Sequence, residues 1–275
     1  MNTPFPLTNH LRPAAVAGSF YPDDPAQLQI LVNRHLDQAP LLDNLGAIQA
    51  LIVPHAGLIY SGATAARAFK QLIPQAARIR RVVLVGPSHH IPFRGFAVMN
   101  DRGAATPLGT VANDPGGAAL LLAQAGGGVL PAAHRSEHDL EVELPYLQTV
   151  LPGVAVIPVV AGGVDPAALA LALEAVMALP GTLLTISSDL SHYYDADTAQ
   201  RLDTQCHRAI VEDDPSAWGR CEACGAVGIE ALLIVARRRG WRRRLVDYSH
   251  SGMTTGDNSA VVGYGSYLFD EPEGV

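Results

Sequence analysis

Short apolar runs that end abruptly on glycine, proline, histidine or aspartate recur along this chain of 275 residues. Residues 81–85 read as a buried strand, Gly86-Pro87 stops it, and Ser88-His89-His90 follows at once. Residues 50–53 run into Pro54-His55-Ala56-Gly57, and 183–186 run into Ser187-Ser188-Asp189-Leu190-Ser191-His192. Residues 156–160 run into Ala161-Gly162-Gly163, which carries no chemistry but leaves room. Such bounded apolar runs are how strands buried on both faces read. Between them the apolar period changes to that of helices. Asp23 or Asp24 caps a helix over 25–36 with Pro25 in its first turn. Further helices are predicted over 61–72 (capped by Ser61), 115–125, 166–179, from Asp195 or Asp197 to 211, and from Cys224-Gly225 to 239. Ser136 with Asp139 resembles a capping pattern for a helix over 136–150, which Pro145 kinks or breaks.

The remaining strands are expected at 47–53, 95–99, 109–111, 154–160, 182–186, 245–248 and 260–269. The last alternates apolar and polar positions and reads as antiparallel. Strand, helix, strand within about forty residues is a βαβ unit, so 47–53 and 81–85 should be parallel and adjacent or nearly so. Residues 1–12 read as an extended arm, Phe20 and Tyr21 as packing on a sheet edge, and His35 as a surface or boundary histidine. The pattern gives one α/β domain over 1–275, with a central mixed, mostly parallel β-sheet flanked by helices.

Composition narrows the function classes. The hydrophobic fraction of 48% supports a sizeable core, and the charged fraction of 16% argues against disorder. A net charge of −7 without a long basic block argues against nucleic acid as a partner. Arg237-Arg238-Arg239 and Arg242-Arg243-Arg244 read as a helix end and a strand edge in solvent. No run approaches the ~20 apolar residues of a membrane helix. The first thirteen residues lack the apolar core of a signal peptide. Three cysteines, an odd count, suit a reducing cytoplasm better than a disulfide framework.

Candidate chemistry gathers where strands end, the edge at which open α/β sheets bind ligands. The set is His55, His89, His90, Glu137, His138, Asp189, His192 and Cys224. Imidazole, carboxylate and thiolate together suit a borderline metal such as Fe(II) or Zn(II). Adjacent side chains of an extended chain point opposite ways, so one of His89 and His90 faces the site. Asp189 and His192 read either as an orienting carboxylate with an acid–base histidine, or as a helix cap and a histidine on a backbone carbonyl. Glu137 in a first helical turn gains from the helix dipole whatever its function. Cys221-Glu222-Ala223-Cys224 lacks the second pair of a zinc ribbon and the preceding strand of a redox motif. A cysteine at a helix N-terminus remains, where the dipole favours the thiolate that a metal requires. A serine-nucleophile elbow, a P-loop and a dinucleotide fingerprint are absent from the sequence.

Several motifs, in order, give the chain a resemblance to the Memo family, which also forms component B of the AmmeMemoRadiSam system. They are Ala17-Gly18-Ser19-Phe20-Tyr21, Pro54-His55-Ala56-Gly57, Gly86-Pro87-Ser88-His89-His90, Thr106-Pro107-Leu108-Gly109, Glu137-His138 with Glu141 and Leu144-Pro145, Ser187-Ser188-Asp189 with His192, and Val261-Val262-Gly263-Tyr264. The family is similar in fold to the class III extradiol ring-cleavage dioxygenases. The resemblance implies a mononuclear metal site whose ligands fall on His55, His89 and Cys224, with iron(II) as the ion and zinc(II) or copper as alternatives. It places His192 where the dioxygenases have their acid–base histidine, with Asp189 beside it. It also implies radical SAM and AMMECR-type proteins as partners. Cysteine in place of the dioxygenases' glutamate changes the potential of an iron and is itself oxidisable.

The function expected is dioxygenase-like or redox chemistry on a small substrate at a non-haem iron(II) site. The rivals are a metal-dependent hydrolase and a non-catalytic metal-handling or peptide-binding partner protein.

Overall fold

The computed structural model describes residues 5–272. Four strands lie side by side and parallel at its centre, in the order Ile48–Val53, Thr182–Ser187, Arg81–Pro87 and Ala155–Ala161. Thr182–Ser187 separates the two strands of the first βαβ unit, so these are near neighbours and not paired. Val261–Asp270 runs antiparallel to Ile48–Val53, as its alternation predicts, and also pairs antiparallel with Arg242–His250 and His192–Tyr194. Phe96–Val98, antiparallel to Ala155–Ala161, and Gly127–Gly128 complete a nine-stranded mixed sheet.

Both faces of this sheet are buried, which is why its strands are continuously apolar. Leu51, Val53, Val82, Leu84, Val156 and Val160 point into one core. Helices Pro25–Gln38, Leu58–Phe69 and Leu144–Val150 cover it through Leu28, Val32, Ala65, Phe69 and Leu147. Ala50, Ile52, Val83, Val85, Ile157 and Val159 point into the other, beneath helices Pro115–Leu122, Pro166–Met177 and Ala226–Arg239. Three of these helices start on Asp-Pro. Asp24, Asp114 and Asp165 accept amide hydrogen bonds at the N-cap, and the proline follows, where its missing N–H costs nothing.

Some boundaries differ from the sequence reading. The helix expected from Ser61 begins at Leu58, after Gly57, and Ser61 Oγ instead donates to the carbonyl of Ala56. Residues 136–150 are not one helix: Pro131–Arg135 and Leu144–Val150 are helical, with turns between. Acidic residues alternate through that segment at Glu137, Asp139, Glu141 and Glu143, and all four are buried. Two of these carboxylates are committed to distant partners. Glu141 takes Arg12 at 2.6 Å, the hydroxyl of Tyr21 and the amides of Ala15 and Val16, and Glu137 takes His89.

Within the expected N-terminal arm, residues 1–4 lie outside the described residues, and Leu11–Arg12 pairs with Gly103–Thr106 in a small second sheet. His35 is buried, not at the surface, because its Nδ1 meets the Tyr146 hydroxyl at 2.7 Å. The arginine clusters do sit on a helix end and a strand, where Arg238 pairs with Glu174, Arg242 with Asp270, and Arg243 with Asp213. Among the described residues no helix is long and apolar enough to cross a membrane.

Candidate metal centre

The four parallel strands deliver their carboxyl ends to one edge. His55 follows Val53 by two residues, His89 follows Pro87 by two, and Asp189 follows Ser187 by two. His138 reaches the same place from the turns before Leu144–Val150. The rings of His55, His89 and His138 stand 4.6 to 5.4 Å apart, centroid to centroid. One ligand atom from each lies within 4.8 Å of the others.

Each imidazole is held through Nδ1. His55 Nδ1 is 2.8 Å from Ser187 Oγ, which donates onward to the carbonyl of Asp139 at 2.8 Å. His89 Nδ1 is 2.7 Å from Glu137 Oε1, and His138 Nδ1 is 3.3 Å from the same oxygen. With Nδ1 tied to an oxygen, the proton sits there and Nε2 is free to bind an ion. Burial, then the His138 and His89 rings, hold His55 well below its ordinary pKa, so it is the neutral form a metal needs. Burial alone would raise Glu137, but hydrogen bonds from His138 and His89 more than offset it and keep the carboxylate ionised. Phe20 closes one side with its ring 4.8 Å from His138.

Cys224 approaches from the start of helix Ala226–Arg239, its Sγ 3.3 Å from His55 Nε2. It is fastened to the end of strand Thr182–Ser187. Asp189 N donates to Cys224 Sγ at 3.2 Å, and Cys224 N donates to the Asp189 carbonyl at 3.2 Å. Gly225 N donates to Ser188 Oγ, and a Cβ at Gly225 would stand 2.7 Å from that of Ser188, so only glycine permits the approach. Gly86 plays the same part across the site: a Cβ there would meet Asp139 Oδ2. The thiol does not behave as its helix position predicts. Burial, reinforced by the charge of Asp189, pushes it well above its usual value, and this outweighs the dipole of the helix.

The cysteines also pair differently from expectation. Cys206 and Cys221 form a disulfide, contrary to the reading of three reduced thiols, and Cys224 is free. A Cys221–Cys224 bridge is therefore not formed. The Cys-x-x-Cys spacing carries no information about Cys206, which packs from helix Ala196–Val211.

Asp189 and His192 follow neither sequence reading fully. Asp189 does not cap a helix. It accepts from His55 N at 2.8 Å and from the Ala56 amide, so it shapes the His55 turn. Burial pushes its carboxyl up to about 6. His192 lies on strand His192–Tyr194, near enough for its charge to act on Asp189 and His55, but Asp189 and His192 share no hydrogen bond among the described residues. His89 and His90 are both exposed, and His90, its ring 6.3 Å from that of His138, forms a second candidate group with Glu137 and His138. Of the adjacent pair, His89 is the one in the three-histidine group. Glu137, Ser187 and His138 are the site residues whose positions the sequence reading did not resolve.

Compared with known families, residues 12–268 match the profile of the Memo-like protein family. The chain belongs to the Memo-like family. A MEMO1 family protein of Thermoplasma acidophilum is 33% identical over 267 residues, covering 94% of this chain and 98% of its own. MEMO1 family proteins of Archaeoglobus fulgidus and Aquifex aeolicus are each 33% identical over 274 residues, covering 94% of this chain and 99% of their own. In this Memo-like chain the donor set is chemically suited to a transition metal. Three imidazoles converge with Glu137 behind two of them, and the Cys224 thiol adjoins this group through His55 alone.

Proposed function

We propose that this Memo-like protein holds one redox-active metal ion, iron(II), and uses it on a small substrate together with oxygen. His55, His89 and Cys224 are the protein ligands in this reading, and His138 is a further imidazole donor at the same centre. The observation that carries it is the convergence of three imidazoles, each tied at Nδ1, beside a free thiol. When bound, the ion supplies Lewis acidity and one-electron chemistry toward oxygen.

The chain's own residues supply the rest. Ser187 and Glu137 orient the rings and fix their tautomers. Asp189 fixes the backbone from which His55 projects. His192 is the imidazole base that takes the proton of a substrate hydroxyl. Cys224 stands on the side toward helix Ala226–Arg239 and, as an oxidisable donor, makes the site sensitive to excess oxygen.

The test is oxygen uptake by anaerobically loaded protein against catechols and other diols. Uptake that requires iron and oxygen together, and that His192→Ala abolishes while metal is retained, is the expected result. Turnover without oxygen or with zinc(II) alone would assign hydrolysis instead. Full metal occupancy with no turnover would favour metal handling in support of a partner such as a radical SAM protein.

A further inference from the structure

Beside Cys224 lies a cleft of about 410 Å³. It opens at the carboxyl ends of strands Arg81–Pro87, Ala155–Ala161 and Thr182–Ser187 and is roofed by the first turn of helix Ala226–Arg239. This is the edge where open α/β sheets receive ligands, and the volume lies at the small end of the range for small-molecule sites.

Its chemistry is one-sided. Val85, Ile91, Phe93, Ile186 and Val227 supply apolar wall, and glycines supply floor. No charged side chain lines it among the described residues, and Ser88 and Cys224 bring the only side-chain heteroatoms. Ser88 is already committed, because Oγ donates to the Ile91 carbonyl at 2.6 Å. Two of the loop amides are committed too: Gly162 N donates to Gly95 O and Gly163 N to Phe93 O. A many-hydroxyl molecule would find few side-chain partners along this wall, whereas an apolar ring would gain by burial. Cys224 thus touches both centre and cleft, with His55 Nε2 3.3 Å away and its own side chain lining the apolar cleft.

The geometry points to this cleft as the pocket for the uncharged, apolar body of the substrate, one or two rings in size, whose single polar end reaches the histidine centre past Cys224. The inference rests on the metal-centre reading for the polar end only; the apolar pocket stands without it.

The test compares an uncharged naphthol with the matching naphthalene sulfonate, by calorimetry, on metal-free and metal-loaded protein. The naphthol should bind both forms, more tightly with metal, and the sulfonate at least about 10-fold more weakly to the metal-free form. Val227→Trp from the helix wall and Ile91→Trp from the opposite loop should each weaken the naphthol at least about 10-fold with metal content unchanged. Two positions are used so that a folding defect in one does not decide the outcome. Equal binding of the sulfonate, or naphthol binding indifferent to both tryptophans, overturns the pocket. Naphthol binding that is lost in both variants, from a protein that takes up no metal, keeps the pocket and overturns the metal centre.

Discussion

Glu137 grips His89 at two points. Its Oε1 lies 2.7 Å from His89 Nδ1, and its Oε2 accepts from His89 N at 2.8 Å. One carboxylate therefore sets both the ring and the backbone of the histidine that follows strand Arg81–Pro87, and it reaches His138 as well.

Glu137→Gln should accordingly weaken metal binding by about 10- to 100-fold, the scale of changes in groups that orient ligands. His55→Ala and His89→Ala should remove most of the metal, and His90→Ala should leave it. Metal content after anaerobic purification is the measurement. Loss of metal in His90→Ala with retention in His89→Ala would reverse the assignment of the pair.

Non-reducing alkylation followed by mass spectrometry should label Cys224 alone and find Cys206 and Cys221 joined. Because burial raises the Cys224 thiol, labelling of the metal-free protein should be slower than that of a free thiol at pH 7. Fast labelling of all three cysteines would contradict both statements.

Arg12 and Glu141 form a buried pair, 7% and 0% exposed at the side chain. Arg12→Met leaves the Glu141 carboxylate without its cation, a loss of roughly 3–5 kcal/mol. The denaturant midpoint should fall accordingly. Replacement of both partners by apolar residues should recover part of the loss, which a cycle of single and double variants would measure.

Burial, then the charge of Arg12, lowers His134 to about 4. The unfolded chain, near 6.5, binds the proton first. Between these values the unfolded state carries more protons, so the contribution of His134 to stability falls as pH falls, by about 1–3 kcal/mol. Buried Asp139 and Glu143 are held high and act in the opposite sense. The measure is therefore a difference: wild type should lose stability relative to His134→Gln from pH 6.5 down to 4. Parallel curves would refute it.

The strand ends were legible because apolar runs that stop on His or Asp encode both the sheet and its functional edge, and His55, His89 and Asp189 all arrive there. The segment around Glu137 and His138 was not. Ser136 with Asp139 imitates a helix cap, but acids at 137, 139, 141 and 143 alternate with period two, and that signal argued against a helix. The Cys206–Cys221 bridge was illegible because spacing does not determine pairing. At Cys224 the helix dipole, read from sequence, was outweighed by burial, which only the packing reveals.

The alternating acids also tie the two ends of the functional apparatus to different parts of the chain. Glu141 faces Arg12, Ala15, Val16 and Tyr21, while Glu137, four residues earlier, faces His89. Arg12 further bonds the carbonyls of His134 and Glu137. A chain trimmed from its N-terminus past Arg12 would thus lose the brace behind Glu137 without touching His55, His89 or His138. The chain shortened at its N-terminus, or cleaved by a protease in the 12–21 stretch, should lose metal before it loses the central sheet.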